Sequence, residues 1–152
     1  MNLMRYTGMA IIDTAISGRK RTPGERGNAL EGTYLSGQRR KTGEPFGLDI
    51  PKWLADELLS LPGKHFFWDG KEEPRLVVGH YEKALHSIFF VAKVRMTPHK
   101  FRHYFITQQL AAGWSAGEVA DMVGTSESEI RKTYKHWVTE GRERVREASR
   151  RG

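Results

Sequence analysis

Between residues 97 and 126 three helix starts and two helix stops follow one another, and they leave that stretch little choice of fold. Thr97 is a good N-cap residue with Pro98 behind it at the first helical position, where a missing N–H costs nothing. The helix they open runs to about Ala112 and ends at Gly113. Ser115 caps a shorter helix, "AGEVADMVG", which Gly124 stops. Ser126 caps a third, "ESEIRKTYKHWV". Beyond it, "TEGRERVREASRRG" reads as a charged tail helix over 139–152 with few apolar residues.

The earlier part of the chain mixes two periodicities. Leu3, Tyr6, Met9, Ala10, Asp13 and Ile16 fall at helical spacings, which predicts one helix over residues 2–17 that starts abruptly. "GRKRTPGERGNA", residues 18–29, is rich in turn formers and bases and predicts a loop. Strand-like runs at 33–35 and 46–50 flank the turn "RRKTGEP" and predict a small antiparallel sheet. Pro51 suits the first turn of a helix with Trp53, Leu54, Leu58 and Leu61 on its buried side. "HFFW" reads as a short buried extended piece, and residues 74–94 as a helix with Val77, Val78, Tyr81, Leu85, Ile88 and Phe89 at helical spacing. The expected fold class is α+β, mostly helical with one small antiparallel sheet.

Charge narrows the function. The 152 residues carry a formal net charge of +7, which favours an acidic partner, nucleic acid before an anionic membrane. Between Gly18 and Glu44 seven Lys/Arg face three acids, so Arg19, Lys20, Arg21, Arg39 and Arg40 are candidate DNA-backbone contacts. The same run is equally readable as a solvated face. There is no cysteine, which removes disulfide frameworks and cysteine-based zinc sites and makes an intracellular, cytoplasmic location the expectation. No apolar run reaches the length of a membrane span.

"TPHKFRHYF", residues 97–105, holds the candidate chemistry. His99 and Arg102 are three apart on a helix and share a face. Both lie in the first turns, where backbone N–H groups and the helix dipole favour an anion. Histidine exchanges a proton near neutral pH, and the arginine fork matches phosphate oxygens. A phosphodiester suits such a site, although the H-x-x-R spacing also recurs by chance.

The stretch from His99 to Trp137 resembles the C-terminal half of the tyrosine-recombinase, or phage-integrase, catalytic domain. That family has H-x-x-R at a helix start, "L-G-H-S-S" before a short helix, and a nucleophilic tyrosine in "T-x-x-Y-x-H". Here the matching pieces are His99 and Arg102, "VGTSE" at 123–127, and "RKTYKHW" with Tyr134, 32 residues after Arg102. Upstream, "RYTGMAIIDTAIS" resembles the family's "T-G-x-R-x-x-E-x-x-x-L" helix, and "KTGEP" resembles the hairpin turn that carries a lysine. The resemblance covers nearly the whole chain in the right order. It implies that Tyr134 attacks a phosphodiester of double-stranded DNA and forms a 3′-phosphotyrosyl link. It implies Arg102 as one of two arginines that neutralise the phosphate, Lys41 as general acid to the 5′-oxygen, and His99 as an aid to proton transfer or a phosphate contact. Lys100, Lys132 and Lys135 join the expected DNA contacts. Neither a metal nor a small-molecule cofactor is implied. Family members carry an N-terminal DNA-clamping domain and more of the first helix, both absent from residues 1–152, and a tail that associates with a neighbouring protomer on DNA.

The sequence departs from that pattern at two site positions. Ala10 stands where the first arginine belongs, and Thr125 where a histidine or tryptophan is usual. Arg19 or Arg21 are the loop arginines that could reach in instead. Loss of one such donor typically slows the chemical step by about a hundredfold or more. Two further readings therefore stay open: a catalytically inactive DNA-binding remnant, and a helix-turn-helix regulator built on "AGEVADMVGTSESEIRKTYKHW". His103 and His136 are expected as supporting hydrogen-bond formers, and Trp114 and Trp137 as core or packing aromatics.

Overall fold

The computed structural model of the protein describes residues 1–19 and 28–151. The helix predicted over residues 2–17 is two helices, α1 (Asn2–Thr7) and α2 (Ile11–Ala15). Gly8 makes the break, with a left-handed φ of 63° and its N–H on the Met4 carbonyl. The Thr7 hydroxyl reinforces it, donating to the Leu3 carbonyl at 2.6 Å and accepting the Met9 N–H at 3.2 Å. Apolar spacing continues across the break, so periodicity alone reads through it. A side chain at Gly8 is excluded twice over, because a Cβ there would stand 2.8 Å from Cδ1 of Phe105.

After α2 come β1 (Ser17–Gly18), β2 (Asn28–Glu31), β3 (Tyr34–Gln38) and β4 (Pro45–Asp49), in spatial order β1-β2-β3-β4. The pairs β2/β3 and β3/β4 are antiparallel, as expected. The pair β1/β2 is parallel, so the sheet is mixed rather than purely antiparallel. Both strands of that pair touch the stretch predicted as a loop. The side-chain alternation was too short there to register, since β1 has only two residues. Lys20 and Arg21 lie outside the described residues. Register pairs Leu35 with Leu48, and both face the core.

The remaining elements are α3 (Lys52–Ser60), α4 (Pro74–Val91), α5 (Pro98–Ala111), α6 (Ala116–Val123), α7 (Glu127–Thr133) and α8 (Lys135–Arg151). Helices α5 and α6 begin and end where their caps and glycines predict. Ser115 and Glu118 form a full capping box, and Ser126 accepts the Glu129 N–H. The helix expected to run through "ESEIRKTYKHWV" is instead cut at Tyr134, whose φ of −118° and ψ of 28° end α7. Thus α8 starts at Lys135 and the predicted tail helix is its continuation.

One core joins the sheet to α5, α6 and α7 through Leu30, Leu35, Leu48, Phe105, Ile106, Leu110, Val119 and Ile130. Each such fully buried aliphatic side chain contributes about 1.5–3 kcal/mol. A second, smaller cluster of Met4, Leu85, Phe89 and Phe101 fastens α4. The rest of α4 is open, with Ile88, Phe90 and Val91 exposed. The tryptophans do not meet expectation. Trp53, Trp114 and Trp137 are 50%, 46% and 37% exposed, so none is a core residue. Trp53 lies edge-on to Tyr6 at 5.7 Å. Helix α8 lies on α5 of its own chain: Gly141 is packed against the Leu110 carbonyl, and Arg144 Nη1 donates to the Ala111 carbonyl at 3.3 Å. Among the described residues no helix is long and apolar enough to cross a membrane.

Candidate active site

Arg102 projects from the first turns of α5 into the middle of the molecule and is 6% exposed. Its Nη1 donates to the Gly8 carbonyl at 3.0 Å and the Val123 carbonyl at 2.9 Å. Both acceptors belong to turns with a left-handed glycine, Gly8 itself and Gly124 after Val123. Those glycines aim the carbonyls at the guanidinium. Burial is the main cause that lowers the Arg102 pKa to about 10, with the Arg39 charge adding to it and Tyr134 and Asp13 opposing it. The group stays a cation at neutral pH, buried but held by oxygen acceptors.

The kink at Tyr134 turns its ring inward toward α5. Its hydroxyl lies 2.7 Å from Nδ1 of His103, and the residue is 8% exposed. Burial raises the tyrosine pKa above its ordinary value, against the Arg102 charge and with a contribution from Glu129. His103 in turn meets His99 edge to face, with ring centroids 4.6 Å apart. Both imidazoles are pushed below their usual pKa. Desolvation is the largest cause for each, followed by His103 and then Arg102, Arg39 and Lys41 for His99, and by Lys100 and Arg102 for His103.

The β3–β4 hairpin closes over the same region. Lys41 is exposed at its tip and near enough for its charge to act on His99. Arg39 points inward instead. Its side chain is 14% exposed, its Nε lies 3.9 Å from the Asp13 carboxylate, and its Nη1 donates to the Gly124 carbonyl at 3.4 Å. Asp13 is 2% exposed and accepts the Arg40 N–H at 3.0 Å. Burial raises its pKa despite the Arg40 N–H and the charges of Arg39, Arg102 and Arg40. Arg39 stem atoms occupy the space where a side chain at Gly124 would go, which requires glycine there.

Ala10 precedes α2 as its N-cap residue and lines a cavity of about 330 Å³ together with Glu82, His86, Thr97, His99 and Arg102. Position 10, where the resemblance implies an arginine, therefore opens onto the turn that carries the other candidates. Thr125 follows Gly124, half-buried, with its N–H on the Ala120 carbonyl at 3.0 Å.

These elements match a solved protein in three dimensions. The structure is similar to the crystal structure of XerA recombinase, with a TM-score of 0.61 and 16% identity, over 85% of this chain and 49% of that one. The two share a fold, mostly helical with one small sheet. The chain spans about half the length of the recombinase that it matches. No protein-family model matches the sequence, and no curated protein matches it.

Within this fold, Tyr134, Arg102, His99 and Lys41 come to one region from separate places in the chain, and Ala10 and Thr125 border it. Arg40, Lys41, Lys100, Lys132 and Lys135 are exposed. Arg19 is otherwise engaged: its Nε donates to the Gly63 carbonyl at 3.1 Å and its Nη2 to that of Leu61. That pair secures the end of α3 to β1 and turns Arg19 toward the α3 end. Arg39 likewise is turned into the protein rather than toward solvent. In the site expected from the sequence, Asp13 has no part and His103 only a supporting one. Asp13 had a signal, the acidic position of the "T-G-x-R-x-x-E" pattern. His103 had none beyond its place after Arg102.

Proposed function

We propose that this chain cuts and rejoins double-stranded DNA as a tyrosine recombinase, with Tyr134 as nucleophile. The observation that carries the reading is the inward turn of Tyr134, which brings its hydroxyl to the helix turn bearing His99, Arg102 and His103. A tyrosine placed for packing alone has no need of an imidazole on its hydroxyl, with a buried arginine one residue before that imidazole.

The chemistry rests on charge and position. The Tyr134 oxygen attacks the phosphorus, and the P–O bond to the 5′-oxygen breaks. The phosphotyrosine keeps the bond energy, so a 5′-hydroxyl can reverse the step. Arg102 neutralises charge on the non-bridging oxygens as they become more negative. Lys41 gives a proton to the departing 5′-oxygen, and His99 contacts the phosphate. Thr125 offers one uncharged hydroxyl donor. Arg40, Lys100, Lys132 and Lys135 hold the DNA backbone on either side, which makes binding salt-dependent. In the recombinase reading α8 associates with a second protomer on DNA.

A second reading is favoured by one observation, the alanine methyl at position 10 beside His99 and Arg102. Without the first arginine the same surface binds DNA and leaves it uncut. The experiment that separates the two is covalent capture on nicked duplexes, quenched in detergent, with the natural chain, Tyr134→Phe and Ala10→Arg. An adduct lost in Tyr134→Phe supports strand transfer. DNA binding with no adduct from any chain supports the inactive form.

A further inference from the structure

The strand-transfer reading needs a group to take the tyrosine proton, and the H-x-x-R pattern alone draws attention to His99. The geometry points elsewhere. The hydrogen bond of the Tyr134 hydroxyl is to Nδ1 of His103, at 2.7 Å. The ring centroids of the two residues are 5.6 Å apart. His99 stands behind His103, edge to face at 4.6 Å, and lines the cavity shared by Ala10 and Arg102. The two imidazoles therefore face different surroundings, one the Tyr134 hydroxyl and the other the cavity beside Arg102.

Resting on the strand-transfer reading, we propose that His103 is the catalytic base for Tyr134, and that His99 serves the phosphate rather than the tyrosine. The charged and titratable groups around His103 are His99, Lys100 and Arg102 on its own helix and Tyr134 from the α7–α8 junction, with Glu129 of α7 acting on the tyrosine. Desolvation and the Lys100 and Arg102 charges keep the imidazole neutral at neutral pH. A neutral ring with its proton on Nε2 leaves Nδ1 as an acceptor, and the tyrosine O–H donates to it.

The step balances. The Tyr134 O–H bond breaks and its proton goes to His103 Nδ1. The tyrosine oxygen forms its bond to phosphorus, and the bond from phosphorus to the 5′-oxygen breaks. That oxygen takes a proton from Lys41. Rejoining returns the first proton from His103 to the tyrosine and the second from the 5′-hydroxyl to Lys41. No oxidant, reductant or external base takes part.

Two measurements test this. The first is nitrogen NMR of histidine in the free chain at neutral pH. His103 is expected as a neutral ring protonated on Nε2, with an Nδ1 shift that changes in Tyr134→Phe. A proton on Nδ1, or a signal indifferent to Tyr134→Phe, overturns the proposal. The second is the rate of covalent capture, in the natural and Ala10→Arg chains, on a duplex with a 5′-oxygen and on one with sulfur in its place, which departs without a proton. Expected is a loss of about a hundredfold for His103→Gln on both duplexes, with Lys41→Ala restored by sulfur. Restoration of His103→Gln by sulfur, or an unchanged rate, overturns the role of His103 and leaves strand transfer standing. No adduct from any chain removes the strand-transfer reading itself, and the catalytic role of His103 with it.

Discussion

The guanidinium of Arg102 donates a 3.0 Å hydrogen bond to the carbonyl of Gly8, 94 residues earlier in the chain. The same nitrogen reaches Val123. One side chain thus holds the α1–α2 break, the start of α5 and the end of α6 in register, and the candidate site is what lies between them. Removing it orphans two buried carbonyls. Arg102→Ala is expected to lower stability by about 3 kcal/mol, read as a fall in the urea midpoint with an unchanged slope. A wild-type midpoint would mean that these bonds hold nothing together.

Gly8 is the complementary test. Its left-handed backbone and the 2.8 Å approach to Phe105 leave no room for a methyl group. Gly8→Ala is expected to destabilise the chain by about 2 kcal/mol. The loss should appear in thermal unfolding, with DNA capture falling alongside because Ala10 and the Gly8 carbonyl shift together.

Ala10→Arg puts a guanidinium at the cavity shared with His99 and Arg102. The expected outcome is faster covalent capture by about a hundredfold. Stability should hardly change, because Ala10 is only half-buried. A rate no higher than that of the natural chain would mean that the cavity does not face the phosphate.

The paired imidazoles predict a pH dependence of stability. Above the ordinary histidine value of 6.5 both rings are neutral folded or unfolded, and they contribute no slope. Below it the unfolded chain takes up protons that the folded chain refuses, so stability falls as pH drops through the depressed folded values. Urea unfolding over that acid range should show a shallower fall in a chain carrying both His99→Gln and His103→Gln.

Much of this was legible in the residues. Thr97-Pro98, Ser115 and Ser126 placed three helix starts correctly, because caps and glycines act locally. Two breaks were not legible. Gly8 interrupts a helix whose apolar spacing runs on regardless, and Tyr134 interrupts one with no glycine or proline at all. At Gly8 the glycine's own left-handed backbone makes the break, and at Tyr134 a tertiary contact, its hydroxyl on His103, accompanies it. Arg19 and Arg39 show the same limit on the surface. A basic stretch reads as one patch, yet Arg19 is held by backbone carbonyls and Arg39 by Asp13 and Gly124. Charge counts cannot tell a cation that faces solvent from one that ties two elements together.

Strand transfer as proposed joins Tyr134 covalently to DNA. The most direct measurement is peptide mapping after capture on nicked duplexes, with the natural and Ala10→Arg chains side by side. A nucleotide is expected on the peptide containing Tyr134, joined through a 3′-phosphate and missing in Tyr134→Phe. An adduct on any other residue, or one that survives Tyr134→Phe, would contradict it.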